Sequence, residues 1–509
     1  MNCDEPKTNT WKKESGFIWS VLGSAIGFAN ILSFSAQCYR NGGGAFLIPL
    51  LVAYALLGIP MLILEAVVGQ RFRLPFVSAY GYVRGRPGRG MGWLSIINCA
   101  TIGMFYTLLT GYAVAYVLFC LGNMIPADTT RFFQEDFLGV TPALADWGHF
   151  SWGLGFSALV VSGVSWYVLT RNVQAGVERV CSFIMPLLVG MIFLFCAFTL
   201  LLPGAFDGLK QFLIPDFSRL RDFGIWRDAF GHLFFSLSLG LGIITGYARY
   251  NGSHIHIGRA MRYVVLGDIT ISLLAGVVIF GCLGFLSYES GIAFAELVNT
   301  TSTFELGFIV FPKILQAMGA WAPPILGTIF FFCLFIAGIT GVFSIAESIA
   351  GSVEVERGVS RKRAVTVTLI TMTTGSLVFC FGNGQHLINA LAPMVMGFNM
   401  LLAAFVEVII FLFAIKTIQR SVTHHMLLPS RRWTHFFGAC VLVILSVIFI
   451  GSVRQETTAT SDLAMILRWV WFALAAFLAM WLSRQSALDH ATVAIQEDPH
   501  HLQECAEMS

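Results

Sequence analysis

The sequence predicts an all-α membrane protein with twelve transmembrane helices, built as a 5+5 inverted repeat followed by a final pair of helices. Three observations lead there. Hydrophobic residues make up 56% of the 509, charged residues only 12%, and the mean hydropathy is +0.76, whereas a soluble globular chain carries about 25% charged residues. The apolar residues recur from position 17 to position 484 instead of gathering in one stretch. Two runs of small and polar residues, at 23–30 and 236–242, interrupt corresponding helices of the two blocks.

A helix needs about 20 apolar residues to cross a bilayer core. Such runs fall at 17–38 (α1), 44–70 (α2), 92–123 (α3), 151–169 (α4), 177–202 (α5), 227–249 (α6), 263–288 (α7), 324–352 (α8), 364–383 (α9), 388–417 (α10), 434–452 (α11) and 463–484 (α12). The chain divides accordingly into a polar N-terminal segment (1–15), a first five-helix block (16–202), an outer connection (203–225), a second block (226–417), α11 and α12 (418–484) and a polar tail (485–509). Five is odd, so the second block runs through the membrane upside down. The apolar run from Gly16 lacks a small-residue cleavage site, so α1 is expected to be retained rather than removed as a signal peptide. The connection at 124–150 is too short for a folded ectodomain, and 303–318 is expected to form a short helix in an outer loop.

With the N-terminus in the cytoplasm, the inside segments hold 22 of the 31 Lys and Arg, among them Lys12, Lys13, Arg71, Arg73, Arg84, Arg86 and Arg89. This positive-inside bias places both termini in the cytoplasm. It also explains the basic clusters without a nucleic-acid partner. The eleven cysteines are odd in number and never spaced as CxxC, so neither a disulfide frame nor a metal site is expected.

The runs at 23–30 in α1 and 236–242 in α6 lie at mid-membrane depth, each in the first helix of its block. Small residues there suit close helix packing. They equally suit an unwound turn, whose freed carbonyls hold a cation and whose N–H groups hold a carboxylate, tolerable only where a cavity is lined. The symmetric pairing favours the second reading, the midplane site of a secondary transporter.

The run Asn41-Gly42-Gly43-Gly44-Ala45-Phe46 after α1, with Gly58-Ile59-Pro60 and Glu65 in α2, resembles the neurotransmitter:sodium symporter family. Gly176-Val177-Glu178-Arg179 with Met185-Pro186, Pro215-Asp216-Phe217, the run from Phe234 to Gly240, and Ala337-Gly338-Ile339-Thr340 resemble its bacterial leucine-transporter branch. The resemblance extends over nearly the whole chain. It implies alternating-access uptake of an amino acid with up to two sodium ions, in a bacterial cytoplasmic (inner) membrane. Carried over by position, the substrate meets Ser24, Ala25 and Gly27 in α1, Ile102 and Tyr106 in α3, Phe235, Ser236, Ser238 and Leu241 in α6, and Gly341 and Ile345 in α8. Tyr106 would donate to the substrate carboxylate, and Ile102, Phe235, Leu241 and Ile345 would wrap an apolar or aromatic side chain. Amine-carrying members place an aspartate at the position of Gly27, so the glycine implies an amino acid.

The first sodium site maps to Ala25, Asn30, Ser236 and Asp268, oxygen donors suited to a hard cation, with a carboxylate where the family has an amide. The second maps to Gly23, Ile26, Ala337, Thr340 and Gly341, of which only Thr340 keeps a hydroxyl. The chloride ligands of relatives map to Leu50, His232 and Ser272. Leucine cannot hold an anion and Asp268 brings its own negative charge, so chloride independence is expected. The outer gate pair reads Ser33 and Ala392, and the residue two after Ser33 is Ser35 rather than proline. The inner gate pair reads Thr8 and Val355, with Lys7, Glu354 and Glu356 one residue away as substitutes. Glu65 and Glu407 are expected to accept N–H groups of the unwound turns, while Glu347 and His232 are left open between structure and proton transfer.

The leading reading is a sodium-coupled amino-acid symporter with amino acid, sodium and membrane lipid as partners, no cofactor, no nucleic acid and no obligate protein partner. A proton-coupled or sodium-depleted transporter and a non-transporting amino-acid sensor are the alternatives. No Ser-His, Cys-His or HExxH arrangement points to an enzyme.

Overall fold

The computed structural model describes residues 10–298, 305–413, 415–458 and 462–485. Among these residues nine helices are long and apolar enough to cross a bilayer: α2 (Gly44–Phe72), α3 (Phe76–Leu121), α4 (Trp152–Leu169), α5 (Gln174–Thr199), α7 (Ile257–Ser290), α8 (Pro323–Arg357), α10 (Gly384–Phe413), α11 (Arg431–Gly451) and α12 (Asp462–Ser483). A tenth, α1, is bent by 54° between Glu14–Ala25 and Ala29–Arg40. The sixth span is broken more widely, into Phe223–Ser236 and Ile243–Ala248. The ninth, Arg361–Val378, carries three basic residues in its first turn. All twelve expected spans are therefore helical, with the two breaks where the small-residue runs fall. The short outer helix is Leu306–Ala317.

The largest boundary difference is at the third span. The third span was expected from residue 92 but its helix starts at Phe76, with a kink at Gly85 (φ 61°, ψ −140°) between residues 76–84 and the part that runs on into the span. Arg84 and Arg86 are exposed in this added stretch, and their charge hides it from a hydropathy reading. The polar segments 1–9 and 486–509, including Lys7 and Thr8, lie outside the described residues.

Burial orders the bundle. The apolar window of α8 is 83% buried and that of α12 only 22%, so α8 is central and α12 peripheral. The central helix packs along α3 and the first half of α1. Outside the core, Gly44 lies against the outer connection, where a Cβ would stand 2.5 Å from the Leu213 carbonyl. Close backbone approach thus explains the triple-glycine run.

Unwinding a helix in an apolar medium leaves backbone groups that need partners. At the first break Ile26 is extended, its N–H still bonded to Leu22 O at 2.7 Å, and the N–H of Gly27 is taken by Asn30 Oδ1 at 3.0 Å. At the second break the chain passes through left-handed conformations at Ser238, Gly240 and Gly242. Glu65 Oε1 accepts the N–H of Gly240 at 2.8 Å, and Ser348 Oγ donates to Leu241 O at 3.1 Å. Ser238 Oγ reaches across to Ser24 O at 3.3 Å, so the two breaks touch.

Glu65 therefore braces α6 as expected, but Glu407 does not. Neither of its oxygens has a hydrogen-bond partner among the described residues, because the Gly240 N–H is already taken by Glu65.

Gly240 combines φ +74° with a Cβ position 2.9 Å from Met400 O. Gly240→Ala should cost about 1–3 kcal/mol and lower the melting temperature of the purified protein. Gly231→Ala, at an α6 position with open space around it, should not lower it.

Candidate functional site

Four elements converge where the breaks meet. Asn30 lies on the π-helical segment Ala29–Ser33 that opens the second half of α1, and Ser236 closes the first half of α6. Asp268 is a fully buried residue of α7, and Tyr54 opens a π-helical segment of α2, Tyr54–Gly58. Asn30 Nδ2 donates to Asp268 Oδ1 at 2.6 Å, to Ser272 Oγ at 3.0 Å and to Ser236 Oγ at 3.1 Å. Ser236 Oγ donates to both Asp268 oxygens at 3.0 and 3.1 Å, and the Tyr54 phenol donates to Asp268 Oδ2.

All of these donors are neutral. No basic side chain among the described residues pairs with Asp268. An ionised carboxylate removed from water costs several kcal/mol unless a positive charge offsets it. The cluster is thus an oxygen-rich set of side chains whose chemistry fits a hard cation.

Three of the four residues assigned to the first sodium site, Asn30, Ser236 and Asp268, are brought into mutual contact. Ala25 ends the first half of α1 beside them. Of the last four carbonyls of that half, Leu22 accepts from Ile26 and Ser24 from Ser238; Gly23 and Ala25 supply the other two. One feature differs from expectation. The Asn30 amide oxygen faces Gly27, and its nitrogen fills the space in front of Asp268.

Tyr54 was not anticipated. The tyrosine of relatives maps to Leu50, and Tyr54 lies one helical turn further along α2, so a shared helix face was the available signal. His232, left open by the sequence, is buried, and neither ring nitrogen has a hydrogen-bond partner among the described residues. Its ring lies 5.9 Å from that of Phe34 and 6.3 Å from that of Phe46, in an aromatic setting that offers no acceptor.

Above this cluster, the Tyr106 ring lies 5.6 Å from that of Phe28 and 6.1 Å from that of Phe235. Ile102, Leu241 and Ile345 are buried, and Ser24 Oγ is buried without a hydrogen-bond partner among the described residues. The Tyr106 hydroxyl stands 2.6 Å from where a Cβ on Gly27 would be, and its ring edge 2.6 Å from the same point on Gly341. Both glycines are cleared for the tyrosine.

Of the second sodium set, Gly23 lies against Thr340, with its Cβ position 3.2 Å from the threonine Cβ. The Thr340 hydroxyl bonds the carbonyls of Ile336 and Ala337 at 3.0 and 3.1 Å, which brings Ala337 into the same group. Gly341 turns instead toward Tyr106. At the outer end, Ser33 and Ala392 are both half-buried and uncharged.

A model of the sodium:neurotransmitter symporter family matches residues 8–131 and 124–497. The chain belongs to that family. It is 31% identical over 453 residues to an uncharacterised sodium-dependent transporter of Methanocaldococcus jannaschii, covering 88% of this chain and 91% of that one. It is 26% identical over 372 residues to the sodium- and chloride-dependent taurine transporter of the dog, covering 66% of this chain and 59% of that one. The crystal structure of MhsT in complex with L-phenylalanine shares the fold, with a TM-score of 0.75 at 23% identity, over 87% of this chain and 99% of that one. The family is one of symporters, so the protein is a sodium-dependent transporter and not an enzyme.

Gly27→Ala places a methyl group against the Tyr106 hydroxyl, whereas the next atoms of that ring lie at 3.5 and 3.6 Å, ordinary contact distances. Gly27→Ala should therefore lower thermal stability, and adding Tyr106→Phe should recover most of the loss. The four proteins of this double-mutant cycle can be compared by melting temperature without any ligand.

Proposed function

We propose that the protein couples inward movement of sodium to uptake of an amino acid with an apolar or aromatic side chain, by alternating access and without chloride. The observation that carries the reading is Asp268, a fully buried carboxylate bonded only to neutral donors where two broken helices meet. Sodium, with Ala25, Asn30, Ser236 and Asp268 as ligands, supplies the missing positive charge. Its entry turns the Asn30 amide so that oxygen replaces nitrogen. Tyr54 stays on the second carboxylate oxygen and orients it.

The substrate carboxylate takes the Tyr106 phenol proton and N–H groups at the helix break, close to the sodium across Gly27. Ser24, Ala25, Ser236 and Ser238 line the polar end, while Ile102, Phe235, Leu241, Ile345 and Gly341 surround the side chain. A second sodium site around Gly23, Ile26, Ala337 and Thr340 rests on a single hydroxyl and is the weaker of the two, because Gly341 adds no oxygen.

Chloride has no role in this scheme. Leu50 offers no donor, and Asp268 supplies a fixed negative charge that repels an anion in a poorly screened interior. The basic turns support a cytoplasmic position for both termini, in a bacterial inner membrane.

The test is uptake of a panel of labelled amino acids into proteoliposomes, with sodium or choline outside and chloride or gluconate as the anion. Uptake of apolar or aromatic amino acids should require the sodium gradient and survive complete replacement of chloride. Tyr106→Phe removes a bond to a charged group worth about 1.5–3 kcal/mol, so substrate affinity should fall roughly 10- to 150-fold while the folded yield is kept. Unchanged affinity removes Tyr106 from the site.

A further inference from the structure

The connection between α10 and α11 holds the short helix Lys416–His425. Its Ile418, Gln419 and Val422 are buried, and it packs on the inner half of α2, on the end of α10 and on the start of α11. The Gln419 amide donates to Phe413 O at 3.4 Å, and the Thr423 and Thr434 hydroxyls bond at 2.6 Å, which fastens the helix to α11. At its far end a Cβ on Gly258, in the first turn of α7, would stand 2.4 Å from His425 O. The helix is thus a fixed part of the inner surface.

A second row of side chains faces away from the bundle. Lys416, Arg420 and His424 lie four residues apart, so they share one face of the helix, and all three are exposed. Arg432, in the first turn of α11, is exposed as well. Between Glu407 and Glu456 the sequence has no acidic residue, and among the described residues Lys416, Arg420 and Arg432 pair with no acid. Exposed arginines elsewhere do: Arg131 with Glu135, Arg219 with Asp216 and Arg259 with Glu14. His425 senses the resulting field. Burial, together with His424, His256 and Arg262 nearby, pushes its imidazole down to about 4.

Positive-inside bias accounts for basic residues at this end of the chain but not for their setting. Trp433 and Phe436 follow Arg432 on α11 and are 48% and 58% exposed, as aromatic anchors are at a bilayer surface. The short helix and α11 also wall a narrow apolar cleft, lined by Pro60, Leu64, Leu412, Val422, Phe437 and Val441. Unpaired bases and an apolar cleft built on the same two elements match the two ends of one molecule.

We propose that this corner binds an anionic phospholipid, with its phosphate on Lys416, Arg420 and Arg432 and an acyl chain in the cleft. A phosphate accepts charge-assisted hydrogen bonds from all three bases. Anionic headgroups are drawn to basic amphipathic helices at the membrane surface, whereas the ammonium of a zwitterionic headgroup cancels that attraction. The proposal is independent of what the protein carries.

Lipid retention by the purified full-length protein, read by native mass spectrometry from detergent, tests it. Phosphatidylglycerol should be held at least tenfold more tightly than phosphatidylcholine with the same acyl chains. Replacing Lys416, Arg420 and Arg432 together by Gln should bring that preference to within twofold, while Lys416→Arg keeps it. The three side chains are exposed and unpaired, so the melting temperature of the triple variant should match that of the parent. Arg73, Arg84 and Arg86 are exposed on other inner turns, and replacing these three by Gln removes the same charge but should leave the preference intact. Equal weakening by both triple variants reduces the effect to general attraction of anions by a basic surface and overturns the proposal. Displacement of the phospholipid by an equal concentration of glycerol 3-phosphate makes this a free-phosphate site and overturns it too, as does a parent protein with no preference between the two lipids.

Discussion

The structure depends on one constraint: a helix opened inside a membrane has to find partners for every backbone group it exposes. Both broken spans meet it with side chains from elsewhere. Asn30 takes the Gly27 N–H, Glu65 takes that of Gly240, and Ser238 and Ser348 bond carbonyls at the two breaks. The broken segments are consequently held against α2, α7 and α8, and where they meet stand backbone polar groups, three hydroxyls, an amide and a carboxylate. A site of that composition is a direct product of the unwinding.

Two buried carboxylates then divide the work by their surroundings. Asp268 is bonded to an asparagine, a serine and a tyrosine and, among the described residues, to no base. Glu347 is saturated by two arginines and a tyrosine, so it has no charge to offer a ligand and acts between helices. The same residue type is bonded to neutral donors in one place and tied to two arginines in the other. Within the membrane, the supply of nearby positive charge decides which.

Most of the architecture was legible in the sequence because hydropathy and small-residue runs are local signals. The spans and both breaks follow from them, and Asp268 stood out as an acid in an apolar helix. What was missed is non-local or lies just off a borrowed position. Tyr54 lies one helical turn beyond Leu50, the position to which the tyrosine of relatives maps, and opens a π-helical segment. Glu347 was undecided because Arg249 lies 98 residues away in the chain, so no spacing rule pairs them. Glu407 was expected to behave as Glu65 does, yet only one carboxylate reaches the Gly240 N–H. The helical stretch 76–91 escaped because its exposed arginines lower the hydropathy there, although the chain is helical on both sides of Gly85.

The central claim is that Asp268 supplies the negative charge that holds sodium. Binding of radioactive sodium to the purified protein, in buffer with gluconate as the only anion, tests it without reference to substrate or transport. The account predicts saturable binding by the wild type and loss of most of that binding in Asp268→Asn, which keeps an oxygen but removes the charge. Equal sodium binding by the two proteins would contradict it.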